Sequence, residues 1–158
     1  MTEREGRQVR AIPPNFFVLE FPSREENVGL ARLTAAVLAD AAGFSVEDIE
    51  EIKVAVSEAV TNAVVHGYEG RPDGVIRLEG RLDGNRFRVR VRDDGVGIAD
   101  VARALEPPPG DDPLHLGLGF AFMRAFMDEV EVQSTPGGGT VVQMEKVAPA
   151  GRLAPDPR

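Results

Sequence analysis

The feature that most constrains the fold is a hairpin in the middle of the chain. Segments 75–82 and 85–92 alternate between apolar and charged residues, the period of strands with one buried face. Asp83-Gly84 between them favours a two-residue type I′ turn. That turn places Gly80 opposite Phe87, so that the aromatic ring covers the glycine. The pattern predicts an antiparallel sheet with one face on a core and the other in water.

The outward face of this hairpin carries a stripe of arginines. Such a stripe could bind phosphate or nucleic acid, but alternation on a half-exposed sheet produces it without any function. Both interpretations remain open at the level of sequence.

A first helix is predicted after a short strand at 16–21. Ser23 stands where it could cap that helix. The core-facing stripe is predicted from four apolar residues at helical spacing: Leu30, Leu33, Val37 and Ala41.

A second long helix is predicted to begin after Ser45, which can cap it. Glu47 and Asp48 lie in its first turn, where negative charge suits the helix dipole. Apolar residues then recur at helical spacing until the helix ends near His66 and Gly67.

Past the hairpin, the segment Pro107–Pro113 cannot continue a helix and is predicted to be a loop. A short helix is then predicted at 100–105 and a third long helix at 117–127. Two strands are predicted to follow, at 129–134 and 140–147.

Composition limits the class of protein. With 158 residues and 42% hydrophobic residues, we expect one domain at 11–147, a flexible N-terminus at 1–10 and a flexible tail at 148–158. Without cysteine there is no disulfide or thiolate metal site, and a reducing cytoplasm fits. A net charge of −8 argues against direct nucleic-acid binding. No apolar run approaches the roughly 20 residues that span a membrane.

Three polar residues of the second helix, Glu58, Asn62 and His66, repeat every four positions and therefore lie on one side of it. An amide oxygen from Asn62 together with phosphate oxygens would suit Mg²⁺, which keeps several of its waters. Glu58, one turn earlier, could accept a proton from an attacking hydroxyl. The alternative is an exposed helix face that is polar without function.

Asp93 follows the second strand of the hairpin directly. A carboxylate at a strand end can accept a hydrogen bond from an adenine amino group, and Gly95 and Gly97 would let the backbone approach the base. An ordinary Asp-Asp-Gly turn explains the same residues.

Gly117 and Gly119 open the third long helix, whose N-terminus suits phosphate. Thr140 follows a glycine run and could hydrogen-bond near the base. A glycine-rich helix start and a threonine at the beginning of a strand also occur without any ligand.

Together, in this order and spacing, segments 51–68, 92–98, 117–123 and 138–140 resemble the nucleotide-binding boxes of the anti-sigma-factor serine kinases, especially the sporulation anti-sigma-F type. These kinases belong to the GHKL ATPases, with gyrase and the histidine kinases. The resemblance covers roughly 16–144. It implies an α+β fold: a two-layer α/β sandwich of the GHKL (Bergerat) type, with a mixed, mostly antiparallel sheet, helices on one face and a flexible lid.

The resemblance also implies roles. Glu58 corresponds to the catalytic base, Asn62 to the Mg²⁺ ligand and Asp93 to the adenine-binding carboxylate of an ATP/ADP site. Gly95 and Gly97 would shape the base pocket. Gly117 and Gly119 would face the phosphates, and Thr140 would lie near the adenine ring. His66 matches a family position that we interpret as structural.

Family members sequester a sigma factor, phosphorylate a serine on an anti-sigma-factor antagonist, and usually act as homodimers. Arg32 lies opposite the predicted apolar stripe of the first helix, so we expect it to be exposed. It matches a family position on the partner-binding face, although a solvated arginine explains it equally. The proline-rich, acidic segment 107–113 departs from the family's basic lid. We therefore expect slower phosphoryl transfer or weaker ATP retention than in relatives with a basic lid.

Two alternatives share these motifs. One is an ATP/ADP-dependent anti-sigma binding module with little or no kinase activity. The other is a detached histidine-kinase catalytic domain, although neither of the two histidines lies on an upstream dimerising helix. Gyrase-like ATPases need transducer domains, for which we expect no room in 158 residues.

Overall fold

The computed structural model describes residues 14–107 and 116–149. The predicted N-terminus, most of the tail and most of the proline-rich loop therefore lie outside the described residues. Ala148, which we expected to begin the tail, is buried and exchanges hydrogen bonds with Asn85. The packed domain therefore extends at least one residue past the predicted boundary.

Five strands form one sheet with the order β1-β2-β3-β5-β4. Each of the four strand pairs formed by the described residues is antiparallel. The strands are β1 Asn15–Pro22, β2 Val75–Asp83, β3 Arg86–Asp93, β4 Glu129–Ser134 and β5 Thr140–Val147. The predicted α+β architecture is confirmed, but the sheet is not mixed as expected, since within the described part of the chain it contains no parallel pair.

The long helices cover one face of the sheet, and their apolar sides build the core with the inward residues of the strands. The helices are α1 Asn27–Ala41, α2 Val46–Asn62, α3 Val101–Ala104 and α4 Leu116–Phe126. Helix α2 contacts both α1 and α4 and is therefore the central helix of its layer. None of the helices in the described ranges is long and apolar enough to span a membrane.

The start of α2 agrees with the prediction. The Ser45 side chain accepts a hydrogen bond from the backbone N–H of Asp48, at 3.1 Å. At its other end, α2 passes into a π-helical turn, Ala63–Gly67, closed by a bond from Tyr68 N–H to the carbonyl of Ala63. Such turns are rare and often lie at functional sites.

The faces of the hairpin are as predicted, but its register differs by two residues. The loop is Gly84-Asn85, and Gly80 pairs with Val89 rather than Phe87. Gly84 has φ +57° and Asn85 has no positive φ, which fits a type II′ turn instead of type I′. An aromatic ring does cover Gly80, but it belongs to Phe17 of β1. The sequence of the hairpin alone could not reveal this third strand.

The outward face of the sheet carries arginines and carboxylates that pair with one another. Every outward arginine of β2 and β3 lies in an ion pair with a carboxylate: Arg77, Arg81, Arg86, Arg88, Arg90 and Arg92. Because the carboxylates neutralise the stripe, strand alternation is a sufficient explanation for it.

Helix α1 contradicts two predictions. Ser23 does not cap it; the helix begins after Glu26 without a side-chain cap, and the Ser23 hydroxyl instead donates to the Arg71 carbonyl at 2.5 Å. The predicted stripe faces outward, since Leu30, Leu33 and Val37 are 47%, 60% and 70% exposed. The buried side is mostly alanine: Ala31, Ala35 and Ala39, with Leu38. Small side chains let α1 pack closely, and the larger apolar residues are left for solvent or a partner.

Candidate functional site

The polar side of α2 meets the first turn of α4. A Cβ atom built at Gly119 would lie 3.1 Å from Oε2 of Glu58 and 3.2 Å from both amide heteroatoms of Asn62. The sequence-predicted base, the predicted metal ligand and a predicted phosphate-binding glycine are therefore neighbours. Glycine at position 119 leaves space directly above two polar side chains, at the positive end of the α4 dipole.

A cavity runs from this junction to the end of β3. Its lining includes five of the predicted residues together with apolar groups from α2, α4 and the sheet: Asn62, His66, Asp93, Gly97, Thr140, Ala59, Ala63, Gly67, Val91, Ile98, Phe120 and Val142. Its volume is small, about 40 Å³. A ring the size of a purine would therefore enter only with movement of residues around the mouth. Polar groups placed within an apolar lining are typical of a small-molecule site.

Asp93 provides a buried carboxylate at the floor of this cavity and is 6% exposed. Its Oδ1 accepts a hydrogen bond from the backbone N–H of Gly95 at 2.9 Å. Burial raises the pKa of Asp93, as does the neighbouring Asp94, while the backbone N–H groups of Gly95 and Thr140 lower it. A carboxylate held in this way can accept a further hydrogen bond from a ligand.

Glu58 stands at the other end of the site, and partial burial raises the pKa of its carboxyl group. A higher pKa makes a carboxylate a better proton acceptor at neutral pH. The position and the chemistry of Glu58 both suit a general base.

The raised pKa of Glu58 has a consequence for stability. Because the folded protein binds this proton more tightly than the unfolded chain, the free energy of unfolding falls as the pH rises through the raised pKa. We expect Glu58→Gln to raise the free energy of unfolding at neutral pH, with an advantage that vanishes below the pKa of the unfolded carboxyl. Urea unfolding of both proteins across this pH range measures the difference, and a variant less stable at neutral pH would contradict it.

The predicted glycines of the 93–97 turn serve close backbone packing. A Cβ on Gly95 would collide with the carbonyl of Gly67, and one on Gly97, at φ +73°, would collide with the carbonyl of Thr135. Gly97 lines the cavity, whereas Gly95 is buried behind it against Gly67. Gly117 is buried in the first turn of α4.

Thr140 lies across from Asp93 in the ladder between β3 and β5. Its hydroxyl is 2.8 Å from the hydroxyl of Ser134, which also accepts from Ile98 N–H at 2.7 Å. Ser134 therefore orients the threonine that borders the cavity.

Arg32 lies outside this group. It is half-buried on the side of α1 that faces α2, where its guanidinium donates to the Ser57 hydroxyl at 3.3 Å. The predicted exposure of Arg32 is wrong because the stripe used to orient the helix points to solvent.

Residues that the sequence interpretation did not single out complete the site. Gly67 accepts a bond from Val96 N–H at 2.9 Å, and a Cβ on it would lie 2.8 Å from the Asp93 carboxyl carbon. Tyr68 and Ser134 hold the turns on either side of the cavity. In the sequence, Gly67 and Tyr68 could have been recognised as site residues only because they directly follow the polar side of α2.

The site suits a metal ion that a ligand brings with it. No group of three or more acidic, histidine or cysteine side chains that could enclose a metal occurs among the described residues. The amide nitrogen of Asn62 is buried and has no hydrogen-bond partner within that part of the chain, which leaves it able to donate to a phosphate oxygen of a ligand. One amide oxygen beside phosphate oxygens and water is a donor set that suits Mg²⁺.

A larger cleft, of about 590 Å³, lies between the start of α1 and the turn at 69–72. Its charged lining is of mixed sign, with Arg24, Glu25, Glu26 and Glu69. It contains none of the predicted site residues, so the smaller cavity at Asp93 is the candidate site.

Comparison with known proteins gives consistent matches. The family model of the histidine kinase-like ATPase domain matches residues 21–146. An anti-sigma F factor of Thermoanaerobacter sp. (strain X514) is 42% identical over 134 residues, covering 84% of this chain and 93% of that protein. An anti-sigma F factor of Halalkalibacterium halodurans is 41% identical over 130 residues, covering 81% of this chain and 89% of that protein.

A solved structure shares the fold. The crystal structure of the RsbU and RsbW domains of a Mycobacterium tuberculosis protein superposes with a TM-score of 0.63 at 23% identity. The match covers 85% of this chain and 33% of that one, so this chain spans about a third of that protein.

Proposed function

Because this chain belongs to the histidine kinase-like ATPase family, and within it to the anti-sigma F factors, we propose that it is an ATP-dependent protein-serine kinase that also sequesters an RNA polymerase sigma factor. Its substrate would be a serine of an anti-sigma-factor antagonist, and its site of action the cytoplasm.

One observation carries the proposal: Glu58, Asn62 and the first turn of α4 converge beside a cavity that ends at the Asp93 carboxylate. In this arrangement the Asp93 carboxylate would bind an adenine at one end of the site. The N-terminus of α4 would bind the triphosphate at the other end. Phosphoryl transfer requires mainly positioning and charge neutralisation, so few protein groups are needed.

The proposed chemistry uses Glu58 as the base. Its carboxylate takes the proton of the serine hydroxyl while the serine Oγ forms a bond to the γ-phosphorus. The bond from that phosphorus to the β–γ bridging oxygen breaks, and ADP leaves with the electron pair. The raised pKa of Glu58 favours this proton transfer.

Asn62 would hold Mg²⁺ through its amide oxygen, with the nucleotide phosphates supplying further ligands. When bound, this ion would neutralise charge on the phosphates. The N–H groups and the dipole at the start of α4 would add to that neutralisation.

The direct test mixes the protein, γ-labelled ATP, Mg²⁺ and the cognate antagonist. Acid-stable label on an antagonist serine, dependent on Glu58, supports the kinase. Acid-labile label on a histidine would indicate a histidine-kinase catalytic domain instead.

A second candidate is an anti-sigma module that binds ATP or ADP without transferring phosphate. The acidic, proline-rich composition of 107–113 favours it, because that segment supplies no basic side chain for a γ-phosphate. This second candidate would be established if the protein binds the nucleotide and the sigma factor tightly but transfers no label to the antagonist.

Arg32 is proposed to contact the partner proteins. Its guanidinium donates to the Ser57 hydroxyl at the surface between α1 and α2, and arginine is enriched among the residues that dominate interface energies. We expect Arg32→Glu to weaken binding of the sigma factor and of the antagonist by about tenfold or more. ATP affinity should not change, since Arg32 lies away from the cavity.

A matched control for Arg32 is Arg81→Glu, on the outward face of the sheet, where the arginine pairs with Asp83. Titration of labelled sigma factor measures both variants. Equal affinities for Arg32→Glu and the parent would remove Arg32 from the interface.

A homodimer is proposed to form through an apolar patch, defined as Phe16, Leu30, Leu33 and Val37. These side chains are 47–70% exposed, and Phe16 and Val37 line one shared groove. Phe16 lies in β1, which is an edge strand of the sheet within the described part of the chain. Exposed apolar groups at the edge of a sheet suit a second copy of the same chain.

The patch predicts the effect of one charge. Leu33→Glu is expected to convert the dimer into a monomer, as measured by sedimentation velocity, because a carboxylate would be buried in an apolar contact. Val46→Glu serves as the control, since Val46 is exposed at the start of α2 and outside the patch. A monomeric parent, or a dimeric Leu33→Glu variant, would contradict the proposed interface.

A further inference from the structure

Tyr68 is a buried residue directly after the π-helical turn, and the proposed chemistry does not use it. Its side chain packs against Gly74, where a Cβ atom would collide with the ring. Its hydroxyl donates to the Val75 carbonyl at 2.6 Å and accepts from the Asp94 N–H at 2.9 Å. One hydroxyl therefore fixes both the start of β2 and the peptide that joins Asp93 to Asp94.

The turn that carries Asp93 is held at three successive N–H groups. Asp94 N–H donates to Tyr68, Gly95 N–H to the Asp93 carboxylate, and Val96 N–H to the Gly67 carbonyl. Two of these three acceptors belong to Gly67–Tyr68, at the end of the helical segment that also carries Glu58 and Asn62. The position of Asp93 is therefore tied to the segment that bears the other end of the site.

We propose that Tyr68 is a positioning residue that sets base discrimination: its hydroxyl fixes the Asp93–Asp94 peptide so that the Asp93 carboxylate meets the amino group of an adenine ring. This inference rests on the proposed nucleotide site. A rotation of that peptide swings the Asp93 side chain, and a hydrogen bond to a ligand weakens steeply as its angle departs from linear.

Tyr68→Phe isolates the hydroxyl. The ring and its packing on Gly74 remain, while Asp94 N–H and the Val75 carbonyl lose their partner. The turn can then relax, and the Asp93 carboxylate leaves its position at the base.

The experiment measures dissociation constants by calorimetry for ATP and for purine riboside triphosphate, which lacks the amino group at position 6. For Tyr68→Phe we expect about tenfold weaker ATP binding, because a charge-assisted bond is misaligned. Binding of the analogue should stay unchanged, so the parent's preference for ATP over the analogue collapses. The transfer rate at saturating ATP should be kept, so that the loss appears in KM rather than kcat.

Ser23→Ala is the control. It removes another buried hydroxyl, which bonds to the carbonyl of Arg71 near Tyr68, but it does not touch Asp94. It should lower Tm without changing the preference for ATP over the analogue.

A Tyr68→Phe variant that keeps the parent's preference, or that loses both ligands equally, would overturn the proposal. If that variant fails to fold, Gly74→Ala gives a second test, since it displaces the ring and keeps the hydroxyl; an unchanged preference there would also overturn it. A parent that binds neither nucleotide would instead refute the proposed nucleotide site.

Discussion

Asp93→Asn is expected to weaken ATP and ADP binding by about 10- to 100-fold, since hydrogen bonds to charged groups are worth about 1.5–3 kcal/mol. Gly95 N–H already uses one carboxylate oxygen of Asp93. After the substitution, the remaining oxygen would serve Gly95 and the amide nitrogen would face the adenine amino group. The amide N–H groups of the new asparagine and the amino group of adenine, all hydrogen-bond donors, would then face each other in a buried site.

The loss should not come from unfolding. Burial raises the pKa of Asp93, so the ionised carboxylate does not favour the folded state at neutral pH. Asp94→Asn is the matched control, because Asp94 is the next residue and its side chain is 69% exposed. Calorimetric titration of both variants decides the matter: equal affinities for Asp93→Asn and the parent would exclude Asp93 as the base-binding group.

Glu58→Gln is expected to lower the rate of phosphoryl transfer to the antagonist by about 10²- to 10⁴-fold, the usual contribution of a positioned general base. Glutamine fills the same space beside Gly119 but cannot take the serine proton. ATP affinity should remain close to that of the parent, because Glu58 acts on the attacking hydroxyl and does not line the cavity at Asp93.

Single-turnover transfer with labelled ATP measures this rate. Glu50→Gln is the control on the same helix, where Glu50 is 62% exposed and pairs with Lys53. A Glu58→Gln variant that transfers phosphate at the parent's rate would assign the base to another group.

Much of the fold and the site followed from local pattern. The cap at Ser45, the alternating faces of the hairpin and the strands at 129–134 and 140–147 depend on neighbouring residues, which the sequence displays. Motif order and spacing indicated the family, which the comparisons confirm. Glu58 and Asn62 could be placed together because four-residue spacing fixes them on one side of a helix.

The errors came from contacts between distant segments. Periodicity finds an apolar side of α1 but cannot say whether the core or a partner covers it, and here alanines face the core. The register of the hairpin depended on the loop at Gly84-Asn85 and not on the Asp-Gly pair. Tyr68 was marked in the sequence only by its place after the polar side of α2, and its hydrogen bond to Asp94, 26 positions later, could not be predicted from local pattern.

The central claim is that a nucleotide lies between Asp93 and the Glu58–Asn62 side of α2. Calorimetric titration of the full chain with ATP in the presence of Mg²⁺ tests it most directly. The structure predicts saturable binding with one site per chain, weakened in Asp93→Asn and kept in Asp94→Asn. Folded protein that shows no heat of binding with ATP or ADP would contradict the claim.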